Sequence, residues 1–146
     1  MRNRRLPRSR SREILLDGLI AISVLGILVV TLWPDHGRGG TRVHLLPLSG
    51  FWEKSPFQGS LSLAIAATVA NLLLFIPLGF LVGIRWRFFD RWGAVLALAI
   101  GFSLAIEATQ FFLGGHDSSF DDVLMNSLGA VCGHALSKGF AERDAT

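Results

Sequence analysis

Two pairs of polar residues interrupt apolar runs in the second half of the chain. Glu107 and Gln110 lie three residues apart in one run, and Asp122 and Asn126 lie four apart near the start of the next, so each pair shares one helix face. A carboxylate inside hydrocarbon costs several kcal/mol unless it faces a partner or a watery cavity. The pattern therefore predicts a polar pocket between membrane helices, with Glu107 and Asn126 close together.

These residue types allow either catalysis or binding. Glu107 and Asp122 are candidate catalytic residues, since two carboxylates can act as general acid and base on a lipid-linked or glycan substrate. Asp121 can instead cap a helix N-terminus, and Asn71 can hold two helices together. The candidate ligand-binding residues are Asn71, Glu107, Gln110, His116, Asp121, Asp122 and Asn126.

Four apolar segments, each close to the roughly 20 residues that a bilayer core requires, position these side chains. With 51% hydrophobic residues, the 146-residue chain is predicted to be an all-α membrane protein, a compact bundle of four transmembrane helices. The predicted spans are 14–33, 61–84, 93–113 and 123–140. They form a single domain, residues 14–140, between a basic N-terminus, residues 1–13, and a short tail, residues 141–146.

The distribution of Lys and Arg predicts the orientation of this bundle. Of the 14 cations, three lie between the first two predicted spans. The others precede the first span, separate the second from the third, or lie in the last residues of the fourth span and in the tail. Both termini are therefore expected to be cytoplasmic, and residues 114–120 to face outward. A signal peptide is the competing interpretation of the N-terminus, but the apolar run exceeds the typical core of about 7–15 residues. We interpret it as a retained helix, and Asp17 as an acid that extends to the cytoplasmic surface.

Small residues predict where helices approach each other. Gly79 and Gly83 in the second span, and Gly129 and Gly133 in the fourth, permit close backbone contact. The third span has small residues at four-residue spacing on the side nearly opposite Glu107, so we expect this helix to be central and packed on both faces. This ridge comprises Gly93, Ala97, Gly101 and Ala105.

Several classes of site are not expected. Cys132 is the single cysteine, which excludes an internal disulfide and a cysteine metal cluster. Metal motifs such as HExxH or an EF-hand loop do not occur, so we expect neither a metal nor a cofactor. The net charge of +3 arises from the basic N-terminus and reflects membrane orientation, so a nucleic-acid partner is not expected either.

Three blocks of the chain resemble the VanZ-like family. They are NLLLFIPLGF at 71–80, Glu107 followed by Gln110, and FDDVLMNSLGA at 120–130, in the family's order. The segment RVHLLPL at 42–48 is similar to the family's segment after the first helix. His116 stands where the family often has arginine, so a permanent cation is replaced by a side chain that titrates near neutral pH.

The resemblance implies a small bacterial membrane protein of the kind named for teicoplanin resistance. On this interpretation it is a multi-pass protein of the bacterial inner or plasma membrane, surrounded by membrane lipids. Its outward-opening pocket would bind an amphipathic cell-envelope lipid or glycan, or a lipoglycopeptide-type ligand. The alternatives are an intramembrane acid/base enzyme and a small transporter subunit. The sequence names neither the ligand nor the oligomeric state.

Overall fold

The computed structural model describes residues 9–32, 43–44, 61–113 and 118–143. Within these residues the protein is all-helical apart from two strands of two residues each, which confirms the all-α part of the prediction. The helices are α1 (Arg10–Thr31), α2 (Leu61–Arg85), α3 (Trp92–Leu113) and α4 (Phe120–Arg143), with a short 3-10 helix (Arg87–Asp90) between α2 and α3. The strands β1 (Val43–His44) and β2 (Ser118–Ser119) pair in parallel.

Helices α2 and α4 run parallel to each other in close contact. Asn71, ten residues into α2, bonds to Asp122 in the first turn of α4, and Gly83, close to the end of α2, meets His134 further along α4. Glycine is required along this interface, because a Cβ on Gly133 would overlap the carbonyl oxygen of Ile76. The four glycines predicted to allow close packing all meet the opposite helix, which confirms that prediction: Gly79, Gly83, Gly129 and Gly133.

Helix α3 packs antiparallel to α4 through one face only. Its buried residues are Val95, Ala99, Ser103 and Ile106. The ridge from Gly93 to Ala105 is exposed instead, and a Cβ on Gly101 would have no atom of the described residues within 4 Å. The prediction that this helix is central was wrong. The glycines of α2 and α4 bring those two backbones together, so α3 packs outside them and uses its Glu107 face.

Helix α1 lies antiparallel to α2 and completes the core. Three of its apolar side chains are buried, Leu16, Ile20 and Ile27, while Ile22 is 67% exposed. At the centre of the bundle Phe75 of α2 packs against Phe102 of α3, with ring centroids 5.8 Å apart. Large apolar side chains remain on the outside of all four helices, as contact with lipid requires.

Within the described part of the chain, three helices are long and apolar enough to cross a membrane. They are Arg10–Thr31, Thr68–Arg85 and Trp92–Leu113. Helix α4 has 24 residues, about 36 Å of helix, so it is long enough as well. Its polar residues, among them Asn126, His134 and Lys138, make it less apolar than the other three. The fourth span and the orientation of the termini stay predictions.

Candidate functional site

The start of α4, the ends of α1 and α3, and the part of α2 around Asn71 meet at one level of the bundle, which we call the polar end. Asn71 and Asp122, both half-buried, join α2 to α4 there. The side-chain amide of Asn71 donates to Oδ1 of Asp122 at 2.5 Å. Because the acceptor is a carboxylate, this hydrogen bond is charge-assisted and stronger than one between neutral groups. Asp122 also lies in the first turn of α4, where a negative charge opposes the positive end of the helix dipole.

Glu107 fixes the start of α4 against α3. Its Oε2 accepts a hydrogen bond from the backbone N–H of Ser119 at 3.0 Å. Ser119 immediately precedes α4, and its hydroxyl accepts from the backbone N–H of Asp121 at 3.2 Å, in the manner of an N-cap. Sequence reasoning missed Ser119, although a serine directly before an acidic first turn is a recognised signal for a helix start.

The two short strands bring a distant segment to the same place. Val43 pairs with Ser118, and His44 pairs with Ser119. Val43 and His44, two residues of the family-like segment, therefore lie against the start of α4, where Ser119 bonds to the carboxylate of Glu107.

Gln110 joins α3 to α1. Its side-chain amide nitrogen donates to the backbone carbonyl of Thr31 at 2.7 Å. Thr31 is the last residue of α1, so its carbonyl has no partner within the helix. The half-buried Gln110 side chain therefore serves as a cap for α1 as well as a polar group at this end of the bundle.

Asn126 lies deeper, between α3 and α4, and is 2% exposed. Its amide nitrogen donates to the hydroxyl of Ser103 at 2.8 Å. Ser103 precedes Glu107 by one helical turn, so Asn126 and Glu107 lie along the same interface. Their direct approach stays a prediction, and His116 lies outside the described residues.

An apolar groove of about 410 Å³ begins beside the polar end and runs between α1 and α2. Among the described residues that line it, Ser23 is the one with a polar side chain. Val30 and Ala70 also line the groove, and they directly precede Thr31 and Asn71 of the polar end. The bundle thus has hydrogen-bonding groups at the polar end and an apolar groove that adjoins them and extends toward the opposite end.

The opposite end of the bundle is basic and is held by ion pairs. Arg85 binds both carboxylate oxygens of Asp17, through Nε at 2.6 Å and Nη2 at 3.0 Å. Lys138 binds Oδ1 of Asp90 at 3.0 Å. These contacts gather the start of α1 and the ends of α2 and α4. Asp17 was expected only to extend to the surface, and its pairing with α2 could not be read from the sequence.

Comparison with known proteins identifies one family. The VanZ/LLP1 family model matches residues 19–141, most of the chain, from within α1 to the last turn of α4. The predicted resemblance is confirmed. No curated protein and no solved structure matches the chain.

Proposed function

The chain belongs to the VanZ/LLP1 family, and we propose from this premise that it is a multi-pass protein of a bacterial cell membrane that binds an amphipathic envelope ligand. The ligand is an envelope lipid or glycan, or a molecule of the lipoglycopeptide type. It enters from the outer face, at the polar end of the bundle.

The packing of α4 supports four membrane spans. Because α4 runs beside α2, Asp122 lies level with Asn71 and His134 lies level with Gly83. A helix that accompanies a span along its length crosses the same layer. Its polar residues face the protein and not lipid, since Asn126, Ser127, His134 and Ser137 are all buried.

The charges support an outward-facing polar end. Cations of the described chain collect at the opposite end: Arg10, Arg12, Arg85, Arg87, Arg91 and Lys138. Membrane proteins retain such residues in the cytoplasm. Reporter fusions after residues 40, 88, 117 and 146 test this orientation. Fusions at 88 and 146 are expected in the cytoplasm, and either one found outside contradicts it.

One observation carries the binding proposal, which is the apolar groove that begins directly beneath the polar end. A ligand with a polar head and an apolar chain matches both parts. The hydrogen bonds that Asn71 and Gln110 make to described residues use only their NH₂ groups. Their half-buried amide oxygens can therefore accept hydrogen bonds from a ligand head.

Filling the groove tests this proposal. Gly26 lines the groove and Gly18 does not, and in the part of the chain that the structure describes a Cβ on either glycine has no atom within 4 Å. Gly26→Leu and Gly18→Leu are thus matched variants of the same helix. If the leucine displaces two methylenes of the ligand, at about 0.8 kcal/mol each, affinity falls about tenfold.

The measurement is the amount of an envelope lipid extract that the purified protein retains, read by native mass spectrometry. Wild type and Gly18→Leu should retain the same lipids, and Gly26→Leu should retain much less. Equal retention by the two leucine variants would refute binding in the groove. Recovery of the lipid in chemically altered form would instead support the acid/base enzyme alternative, with Glu107 and Asp122 as its candidate residues.

A further inference from the structure

The side chain of Asn126 is only half satisfied. It is 2% exposed, and its Nδ2 donates to the hydroxyl of Ser103 at 2.8 Å. Its Oδ1 is fully buried and has no hydrogen-bond partner among the residues that the structure describes. Buried side-chain amides in proteins are normally paired at both ends, so this atom requires a partner.

Rotating the amide does not remove the problem. The opposite orientation would place Oδ1 against the hydroxyl of Ser103 and leave the NH₂ group unpaired. One hydroxyl cannot serve both ends of an amide. In either orientation Asn126 presents a polar group that no residue in the described part of the chain satisfies.

The position of the pair makes it reachable from the polar end. Ser103 lies one helical turn below Glu107 on α3, and Asn126 lies one turn below Asp122 on α4. Both carboxylates belong to the polar end, through their bonds to Ser119 and Asn71. A molecule that passes between them would travel about 5 Å along the helices to reach Asn126.

We propose that Asn126 and Ser103 form a binding position for one hydroxyl group between α3 and α4. A hydroxyl can donate to Oδ1, and it can accept from the amide if the amide is rotated. Both residues are uncharged, which suits a neutral group over an ion. The hydroxyl comes from water or from the envelope ligand, and only the second source rests on the proposed function.

The neighbouring Ser127 provides a matched control. Like Ser103 it is a buried serine beside this interface, but its hydroxyl donates within its own helix, to the carbonyl of Val123 at 2.7 Å. Ser103→Ala should therefore disturb the binding position, and Ser127→Ala should leave it unchanged.

The test measures proton cross-relaxation by NMR, from water or lipid hydroxyl protons to the side-chain amide protons of Asn126. Asparagine is isotopically labelled, and the protein is held in lipid nanodiscs. The other asparagines are Asn3 and Asn71, and removing each in turn assigns the signals. One nanodisc contains phosphatidylcholine, whose headgroup has no hydroxyl. The other contains phosphatidylglycerol, whose headgroup has two. The amide of Asn71, at the polar end, serves as the positive control for detection.

We expect a cross-peak to Asn126 from water in the first nanodisc, and from water or the glycerol headgroup in the second. The cross-peak should be lost in Ser103→Ala and kept in Ser127→Ala. A glycerol signal identifies the ligand as the source. A water signal in both nanodiscs supports the binding position even if no lipid is retained, so the two proposals fail separately. The absence of any cross-peak at Asn126, with Asn71 detected, would overturn the inference.

Discussion

Replacing Gly133 by alanine should destabilise the protein, even though alanine favours helices more than glycine does. Gly133 lies in α4 against α2, where a Cβ would overlap the carbonyl oxygen of Ile76 and lie 2.8 Å from the backbone nitrogen of Phe80. Both are backbone atoms, which cannot rotate away as a side chain can. The α2 and α4 backbones must therefore separate to admit the methyl group.

The expected magnitude follows from two opposing effects. Alanine in place of glycine stabilises a helix by about 1 kcal/mol. An extra methyl group in a tightly packed interface costs about 1–3 kcal/mol, and contact with fixed backbone indicates the upper part of that range. The free energy of unfolding of Gly133→Ala should therefore fall by about 2 kcal/mol.

Gly139 provides the control on the same helix. A Cβ there meets no atom of a described residue within 4 Å, so Gly139→Ala should be neutral or stabilising by up to about 1 kcal/mol. The two variants should differ by about 3 kcal/mol in reversible unfolding, measured in bicelles against denaturing detergent. Equal stability of the two would refute the close α2–α4 packing on which this reasoning depends.

Three other changes test the polar contacts. Asp17→Asn should lower the melting temperature because Arg85 loses its bidentate partner. The double variant that swaps the two charges, Asp17→Arg with Arg85→Asp, should recover part of the loss. A melting temperature that does not recover would contradict a direct pair. Asn71→Ala should cost about 1–2 kcal/mol in unfolding free energy, since a hydrogen bond to a carboxylate is lost, and an unchanged value would rule that bond out. Glu107→Gln keeps an acceptor for the Ser119 N–H, so it should fold normally but lose lipid retention, whereas Glu107→Leu should cost about 1–3 kcal/mol in stability. A Glu107→Gln protein that is stable and retains lipid would reject a functional role for this charge.

The helices were predictable because length and hydropathy are local properties of the chain. An apolar run of about 20 residues predicts a membrane-length helix without knowledge of its neighbours. The glycines of α2 and α4 were predictable for a similar reason, since Gly79 and Gly83, like Gly129 and Gly133, lie four residues apart and so share one helix face.

The packing of α3 was not predictable in the same way. Its sequence offers two faces for contact, the ridge from Gly93 to Ala105 and the face that contains Ser103 and Glu107. Periodicity identifies such faces but not which of them meets a partner. That choice depends on α2 and α4, whose glycines let them approach each other first and leave only one side of α3 covered.

The residue types at the site were predictable from the sequence, but their hydrogen-bond partners were not. Glu107 and Gln110 were identified as polar groups that needed partners inside the bundle. The partners shown here are backbone groups, the N–H of Ser119 and the carbonyl of Thr31, and backbone groups have no sequence signature. The Asp17–Arg85 pair spans 68 residues of sequence, so the proximity of its two members depends on the antiparallel packing of α1 on α2.

The contacts at the polar end couple ligand binding to helix packing. Asn71 and Asp122 join α2 to α4 at the start of the same interface that Gly133 keeps close further along. A ligand head that bonds to Asn71 therefore depends on the spacing of these two helices. Gly133→Ala leaves the residues lining the groove unaltered, yet by separating α2 from α4 it should weaken lipid retention as well as stability. Gly139→Ala should lower neither lipid retention nor stability. Reduced retention in Gly133→Ala alone would therefore show that ligand binding depends on the close packing of α2 and α4.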